Sequence, residues 1–98
     1  MITVVVQIGN SDDKLPQARW ARFITRVSSV CADSLTVHFS GGSRQDAIWQ
    51  NYCILGVAEE KFWVDHLRSD LSELATEFGQ DSIAMTVGKT EFVKGGDS

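Results

Sequence analysis

Apolar residues follow two different spacings along this chain, and the order in which these spacings alternate restricts the fold more than any single motif does. In residues 2–8 they recur at every second position, which is typical of a β-strand. From Gln17 they recur at intervals of three and four, which predicts a helix of about four turns that ends at residues 31–34. Pro16 suits the first turn of this helix, where a missing N–H costs nothing.

A second strand, a turn-rich connection and a third strand follow. The alternation of residues 35–39 predicts a strand with Leu35, Val37 and Phe39 on one face. Glycine and polar residues then predict a hairpin connection. The third strand is predicted over residues 47–58, with Gly56 at a bulge or at its end. Its two faces are predicted to carry, respectively, Trp49, Asn51, Cys53 and Leu55, and Ile48, Gln50, Tyr52 and Ile54.

The last third of the chain predicts one more helix and one more strand. Gly79 stands where a left-handed residue would end the helix. The fourth strand lies in residues 81–87. The apolar stripe of the helix is predicted to comprise Phe62, Trp63, Leu67, Leu71, Leu74, Ala75 and Phe78, and one face of the strand Ile83, Met85 and Val87.

The order β-α-β-β-α-β predicts one α+β domain over residues 1–93, with a frayed tail over 94–98. Right-handed crossovers then favour a ferredoxin-like split βαβ sandwich. We expect a four-stranded antiparallel sheet in the order 4-1-3-2, with both helices on one face.

Charge and composition limit the class of partner. The net charge of −4, the pI near 4.9 and the absence of any Lys/Arg run argue against nucleic acid as a partner. Cys31 and Cys53 lie in apolar patterns and are predicted to be small buried residues. The chain has no apolar run of membrane-spanning length and starts without a secretory signal pattern, so we expect a reduced, cytoplasmic setting.

The predicted topology brings polar segments from distant parts of the chain to one edge. The end of strand 1, the hairpin, the start of strand 3 and the start of strand 4 all meet there. We call the candidate ligand-binding set at this edge the polar rim. It consists of Asn10, Ser11, Asp12, Asp13, Lys14, Arg44, Trp49, Gln50, Asn51, Gln80, Asp81 and Ser82.

Two interpretations of the polar rim stay open at this stage. Asp and Asn commonly cap helices and close turns, so these residues could be structural. A mixed set of carboxylates, amides and cations also suits a ligand with both donors and acceptors, such as a nucleoside, or an arginine-rich protein loop. Trp49 would offer such a ligand a stacking face, and Gly9 would allow close approach.

Other functions receive less support from the sequence. If Asp12, Asp13 and Asp81 converged they could hold Mg²⁺ in a nuclease or phosphodiesterase, but their spacing is not specific. Both histidines fall away from the polar rim, so we expect no catalytic residues and no cofactor. The uncovered sheet face lacks an RNA-binding aromatic pattern. It could instead pair with a second copy of the chain, and the predicted contacts are Val5, Tyr52 and Ile54.

Three strings, QIGNSDDKL, WQN and QDSIAMTVGKTEF, resemble those of a group of small uncharacterised proteins of bacteria and their phages. The resemblance spans most of the chain and implies a phage or prophage origin, but no activity. The chain has Pro16 where a Ser or Thr helix cap would be expected.

We therefore expect a non-enzymatic, homodimeric binding protein with no membrane segment. Its polar rim would capture a small polar ligand, such as a nucleotide-like signal, or block a host protein such as a defence component. An enzyme with a carboxylate-held metal and an assembly protein acting through the open sheet face are the alternatives.

Overall fold

The computed structural model describes residues 1–10, 13–44, 47 and 50–96, and contains four strands and two helices. Their bounds are β1 Ile2–Gly9, α1 Gln17–Ser34, β2 Thr36–Gly42, β3 Asn51–Ala58, α2 Lys61–Glu77 and β4 Ala84–Lys89. The element order predicted from the sequence is confirmed.

The strands form one antiparallel sheet in the order β2-β3-β1-β4. This is the predicted ferredoxin-like topology. The end of β1, the β2–β3 connection and the start of β4 lie at one edge, because β1 pairs antiparallel with both β3 and β4. The described residues of the polar rim therefore lie along a single edge of the domain.

The core lies between the helices and one face of the sheet. From β1 it takes Val4, Val6 and Ile8, which alternate with Thr3, Val5 and Gln7 on the face that no helix covers. That uncovered side is called the open face below. From the helices the core takes Trp20, Phe23, Val27 and Cys31, and Val64, Leu67, Leu71, Leu74 and Phe78.

Helix ends largely follow the sequence signals. α1 begins after Pro16, which makes no side-chain cap. α2 is followed by Gly79 at φ +64°, the left-handed position that favours glycine. The stripe predicted for α2 is wrong at Phe62, which is 54% exposed, whereas Val64 is buried. Val64 lies three residues before Leu67, so it shares the covered face.

β2 contains an irregularity that the alternation did not predict. Val37 pairs with Gly56, but Phe39 pairs with Leu55, so His38 is an extra residue in this strand. Because the bulge shifts the pattern by one position, Phe39 lies on the open face and not beside Val37, and it is 59% exposed.

The alternation predicted for β3 is confirmed over the described part of that strand, but two expected dimer contacts are wrong. Ile54 is 1% exposed in the core and Tyr52 packs against the core from the same side. Both pair with buried β1 positions, which places them under the helices. Of the three expected contacts, only Val5 lies on the open face.

Gly56 lies inside β3, opposite the bulge of β2, and not at the end of the strand. A Cβ atom there would stand 2.7 Å from the Thr36 carbonyl oxygen, so glycine lets β2 approach closely. Cys31 is buried as predicted and burial raises its pKa to about 12. Cys53 is only half-buried, because it lies on the open face.

Neither helix is both long and apolar enough to pass through a membrane, within the part of the chain that the structure describes.

Candidate functional site

The buried side chain of Asn10 stabilises the loop between β1 and α1. Its Oδ1 accepts the Leu15 N–H at 3.0 Å, and its Nδ2 donates to the Leu15 carbonyl at 2.8 Å. Both backbone groups of Leu15 are thereby satisfied, and Leu15 itself is buried. Asn10 is therefore a structural residue of the polar rim and does not face a ligand.

The same residue joins the first loop to the start of β3. The Asn10 N–H donates to the Gln50 carbonyl at 2.8 Å, and its Nδ2 also lies 3.1 Å from Gln50 Oε1. Asp13 follows with φ +58°, a left-handed conformation that Asp tolerates, and its N–H donates to the Asn10 carbonyl. These bonds fix where β3 begins relative to the loop.

Gln50 also forms a reciprocal amide pair with Gln17, the first residue of α1. Gln17 Nε2 donates to Gln50 Oε1 at 3.0 Å, and Gln50 Nε2 donates to Gln17 Oε1 at 2.9 Å. The pair ties the start of α1 to the start of β3. Gln17 was not predicted to belong to the site, although α1 had to begin at the edge where β1 ends.

A pocket of about 290 Å³ opens between α1 and the β2–β3 connection. We call it the hairpin pocket. Its apolar wall comes from α1 and its polar wall from the strand ends. The described lining residues are Gln17, Trp20, Ala21, Ile24, Gly42, Ser43, Arg44, Gln50, Asn51 and Tyr52.

The hairpin side of this pocket is held by backbone bonds. The Ser43 N–H donates to the Asn51 carbonyl at 3.0 Å, and the Asn51 N–H donates to Ser43 Oγ at 3.0 Å. Gly42 is required beside them, because a Cβ there would overlap the Asn51 carbonyl and stand 2.9 Å from the Tyr52 ring. The polar wall is therefore fixed before any ligand arrives.

The apolar wall is also rigid. Trp20 is 7% exposed, and its ring packs 6.2 Å from that of Phe23 in the core. Arg44, which is exposed at the hairpin, carries the only formal charge among the described lining residues. The hairpin pocket thus combines aromatic surface, neutral amides and one cation. This suits a small ligand with a flat ring and an anionic group.

The β4 end of the polar rim forms a separate site. Gln80 follows α2 and caps its C-terminal end. Its N–H donates to the Ala75 carbonyl at 2.8 Å, and its Nε2 donates to the Phe78 carbonyl. Asp81 is 97% exposed and lies 3.8 Å from Lys14, a weak contact in water. Asp81 and Ser82 line a second pocket of about 350 Å³ between α2 and β4, here called the α2–β4 pocket.

The structure therefore divides the predicted set. It brings Arg44, Gln50 and Asn51 to the hairpin pocket, buries Asn10, and leaves Asp81 and Ser82 at the α2–β4 pocket. Gln80 caps the C-terminal end of α2. Ser11, Asp12 and Trp49 lie outside the described residues. Sequence reasoning missed Gln17, Trp20, Ser43 and Tyr52, which it had assigned to a helix, a turn and a strand.

Metal-binding geometry is not found in the described part of the chain, where no three His, Cys, Asp or Glu residues group together. The carboxylate hypothesis included Asp12, which lies outside that part. His66, on α2, contacts Asp70 at 3.4 Å, and His38 is the extra residue of β2. Neither histidine lines a pocket described above.

No family model matches the sequence, and no curated protein matches it significantly. The fold is similar to a crystal structure of At3g17210 from Arabidopsis thaliana, with a TM-score of 0.63 and 16% identity over 96% of this chain and 99% of that one. A Burkholderia cenocepacia structure assigned provisionally as an amidohydrolase/peptidase gives a TM-score of 0.41 and 15% identity, covering 90% of this chain and 26% of that one. The first similarity shows the fold alone.

Proposed function

We propose that this protein binds a small nucleotide-like ligand in the hairpin pocket without transforming it. One observation carries the proposal: the paired amides of Gln17 and Gln50 and the aromatic residues Trp20 and Tyr52 line one pocket of about 290 Å³, with Arg44 as the only charged group among the described lining residues. Pockets for small ligands generally combine mostly apolar walls with a few placed polar groups.

The chemistry of the lining favours a ring that carries donors and acceptors. The amides of Gln17 and Gln50 each carry both kinds of group, and an aromatic side chain provides a face for stacking. Arg44 supplies the charge that an anionic substituent such as a phosphate needs in a chain of net charge −4. A ligand with both parts fits better than a plain anion.

Capture without turnover is supported by what the lining residues lack. Among the described ones there is no His, Cys, Asp or Glu, so none of them is an evident general base near neutral pH. The buried, unreactive Cys31 thiol lies elsewhere, in the core.

Native mass spectrometry of the purified protein tests for a retained ligand, and calorimetry then compares AMP with adenosine. Arg44→Gln should weaken AMP binding about tenfold and adenosine binding less than twofold, since only the phosphate needs the cation. Gln17→Ala should weaken both. Arg22→Gln, an exposed arginine on α1 away from the pocket, is the matched control.

The proposal fails if no small molecule is retained and neither probe binds. It also fails if Arg44→Gln and Gln17→Ala leave binding unchanged. A host protein at the polar rim is then the remaining alternative.

A homodimer formed through the open face is the second proposal. The strand residues on this face include Val5, Phe39, Leu55 and Val57, and no Asp, Glu, Lys or Arg among the described ones. Two copies can therefore face each other without like-charge repulsion despite the net charge of −4. Thr86→Asp, at an exposed position of this face, should convert a dimer to a monomer in sedimentation experiments.

The resemblance to bacterial and phage proteins supplies the biological side of the proposal. A nucleotide-like signal used by a host defence system is the ligand that we propose for such a protein, acting in the cytoplasm. Retention of a signalling nucleotide by the protein expressed in a bacterial host would support this role.

A further inference from the structure

β4 is the last strand on its side of the sheet, within the part of the chain that the structure describes. An edge strand offers backbone N–H and C=O groups to another chain unless a bulge, a proline or a charge within the strand prevents it. β4 pairs with β1 without a shift in register, contains no proline, and has one charged residue, Lys89, at its end. β2, the other edge, has the bulge at His38. β4 is therefore the less protected of the two edges.

The pairing with β1 fixes which backbone groups of β4 point outward. The Thr90 N–H donates to the Met1 carbonyl, so these two residues form a hydrogen-bonded pair. Pairs in an antiparallel ladder alternate between hydrogen-bonded and non-hydrogen-bonded. With the observed register, the backbone groups of Met85, Val87 and Lys89 therefore point away from β1. They are oriented to bond to a further strand.

The side chains along this edge form an apolar row that the helices cover incompletely. Met85 and Val87 lie on the helix side, because they pair with the buried Val6 and Val4. Val87 is 44% exposed, and Ile83 and Met85 are only partly buried against the core. Ile83 and Met85 also line the α2–β4 pocket. A strand added to β4 would extend the sheet below this pocket and place its own side chains against the row.

The two ends of β4 carry opposite charges. Asp81, just before the strand, is 97% exposed, and Lys89 at its end is also exposed. When two identical strands pair antiparallel with Met85 at the centre, Asp81 of each copy lies opposite Lys89 of the other. The same register places Val87 opposite Ile83 of the other copy, so the two apolar rows meet. The edge is therefore complementary to itself.

Neighbouring registers lack this match. With Thr86 at the centre, Asp81 would lie opposite Glu91 of the other copy, and the two carboxylates would repel each other. With Ala84 at the centre, Lys89 would lie opposite Gly79 and gain no partner. Charge therefore favours the register centred on Met85.

We propose that two copies of this chain pair antiparallel through their β4 edges, with Met85 at the centre, and form one continuous sheet from the four strands of each copy. The two-fold axis runs perpendicular to the sheet and passes between the two β4 strands. The outward backbone groups of Met85 and Val87 bond to the other copy. The helices of both copies lie on the same side of the sheet, and their α2–β4 pockets become neighbours.

This interface is separate from the proposed dimer through the open face. Edge pairing extends the sheet in its own plane and leaves the open face uncovered, so either interface can form without the other. Only one strand of each copy takes part, and the buried area is small. We therefore expect edge pairing to require a higher protein concentration than pairing of the open faces.

Hydrogen exchange measured by NMR at micromolar and millimolar protein concentration tests the pairing at single backbone groups. The amides of Met85 and Val87 should exchange about tenfold more slowly at the higher concentration, because only the paired state bonds them. The amides of Thr86 and Gly88 point towards β1 and should be protected at both concentrations. They are the internal control.

Sedimentation equilibrium of charge-reversal variants tests the register. Asp81→Lys and Lys89→Glu should each raise the dissociation constant of edge pairing several-fold, because each places like charges together at both ends of the interface. The double variant should return it to within about threefold of the original value. Arg22→Glu, at an exposed position of α1, changes the net charge as Lys89→Glu does and should have no effect.

A variant of the open face separates the two interfaces. Phe39 is 59% exposed on β2, at the opposite edge of the sheet from β4. Phe39→Asp should weaken pairing of the open faces and leave the protection of the Met85 and Val87 amides unchanged. Association that Phe39→Asp weakens, without any protection of these two amides, would retain the open-face dimer and overturn edge pairing.

Two further outcomes overturn edge pairing. One is a chain that stays monomeric at millimolar concentration. The other is protection of Val87 at every concentration, which would mean that a segment of the same copy covers the edge. Because Asp81 and Lys89 are exposed, circular dichroism should show their variants folded. If Asp81→Lys does not fold, Asp81→Asn replaces it and should still weaken the pairing.

Discussion

The two pockets of the polar rim lie at the same edge of one sheet, but different interactions form them. The hairpin pocket is bordered by hydrogen bonds that join Gln50 to Gln17 and to Asn10, and the Asn10 side chain is itself buried and bonded to Leu15. The α2–β4 pocket has an apolar floor and exposed charges that contact each other loosely. A shared edge therefore yields one preorganised polar site and one adaptable apolar site.

The largest expected difference concerns the buried side of the hairpin pocket. Asn10→Ala should lower the free energy of unfolding by about 2–4 kcal/mol, because it leaves the buried N–H and carbonyl of Leu15 without partners. Urea unfolding followed by tryptophan fluorescence measures it. Asn51→Ala, at an exposed position, should cost far less, and equal losses in the two variants would refute the structural role of Asn10.

Glycine substitutions should separate the two regions next. Gly42→Ala should cost about 1–3 kcal/mol, because its Cβ would press on the Asn51 carbonyl and the Tyr52 ring. Gly88→Ala on β4 meets nothing within 4 Å and should change stability by less than about 0.5 kcal/mol. Thermal unfolding compares the two, and a neutral Gly42→Ala would contradict the tight packing of the hairpin.

The amide pair should show a smaller but measurable coupling. A double-mutant cycle with Gln17→Ala and Gln50→Ala should give about 0.5–1.5 kcal/mol, the usual net value of protein hydrogen bonds. Because the groups are neutral, the coupling should persist in 1 M salt. A coupling near zero would mean that the start of α1 is held by packing alone.

The smallest effect should come from the ion pair at the α2–β4 pocket. A cycle with Lys14→Met and Asp81→Asn should give less than about 0.5 kcal/mol, and salt should abolish it, since Asp81 is 97% exposed. A coupling above 1 kcal/mol would mean that the polar contacts of the α2–β4 pocket are as strong as those of the hairpin pocket. It would then contradict the contrast between the two pockets.

The fold could be predicted because hydrophobic spacing reports which face of an element is covered. β1 and α1 follow their patterns closely, and the strand order follows from short right-handed connections. The bulge at His38 could not be predicted, since a single extra residue leaves the local composition of a strand unchanged. Phe62 was wrongly predicted to be buried because its neighbours in sequence are apolar. Val64 is buried because it lies on the face of α2 that packs against the core.

The edge on which the site lies could also be predicted, but not its division. Topology alone brings the described residues of the polar rim to one edge of the sheet. Whether Asn10 faces a ligand or the interior depends on the path of residues 10–15, which no spacing encodes. The contribution of Gln17 follows from a side-chain pair between α1 and β3, so it becomes visible only when both elements are placed.

The bulge at His38 separates the hydrophobic pattern of β2 from the face that each of its residues occupies. Val37 and Phe39 pair with Gly56 and Leu55, two consecutive residues of β3, so they lie on opposite faces although they are two positions apart. If His38 paired with Leu55 instead, Phe39 would lie opposite Ile54, on the side of the helices. A slip of one residue between β2 and β3 would therefore remove the Phe39 ring from the open face without any change of sequence.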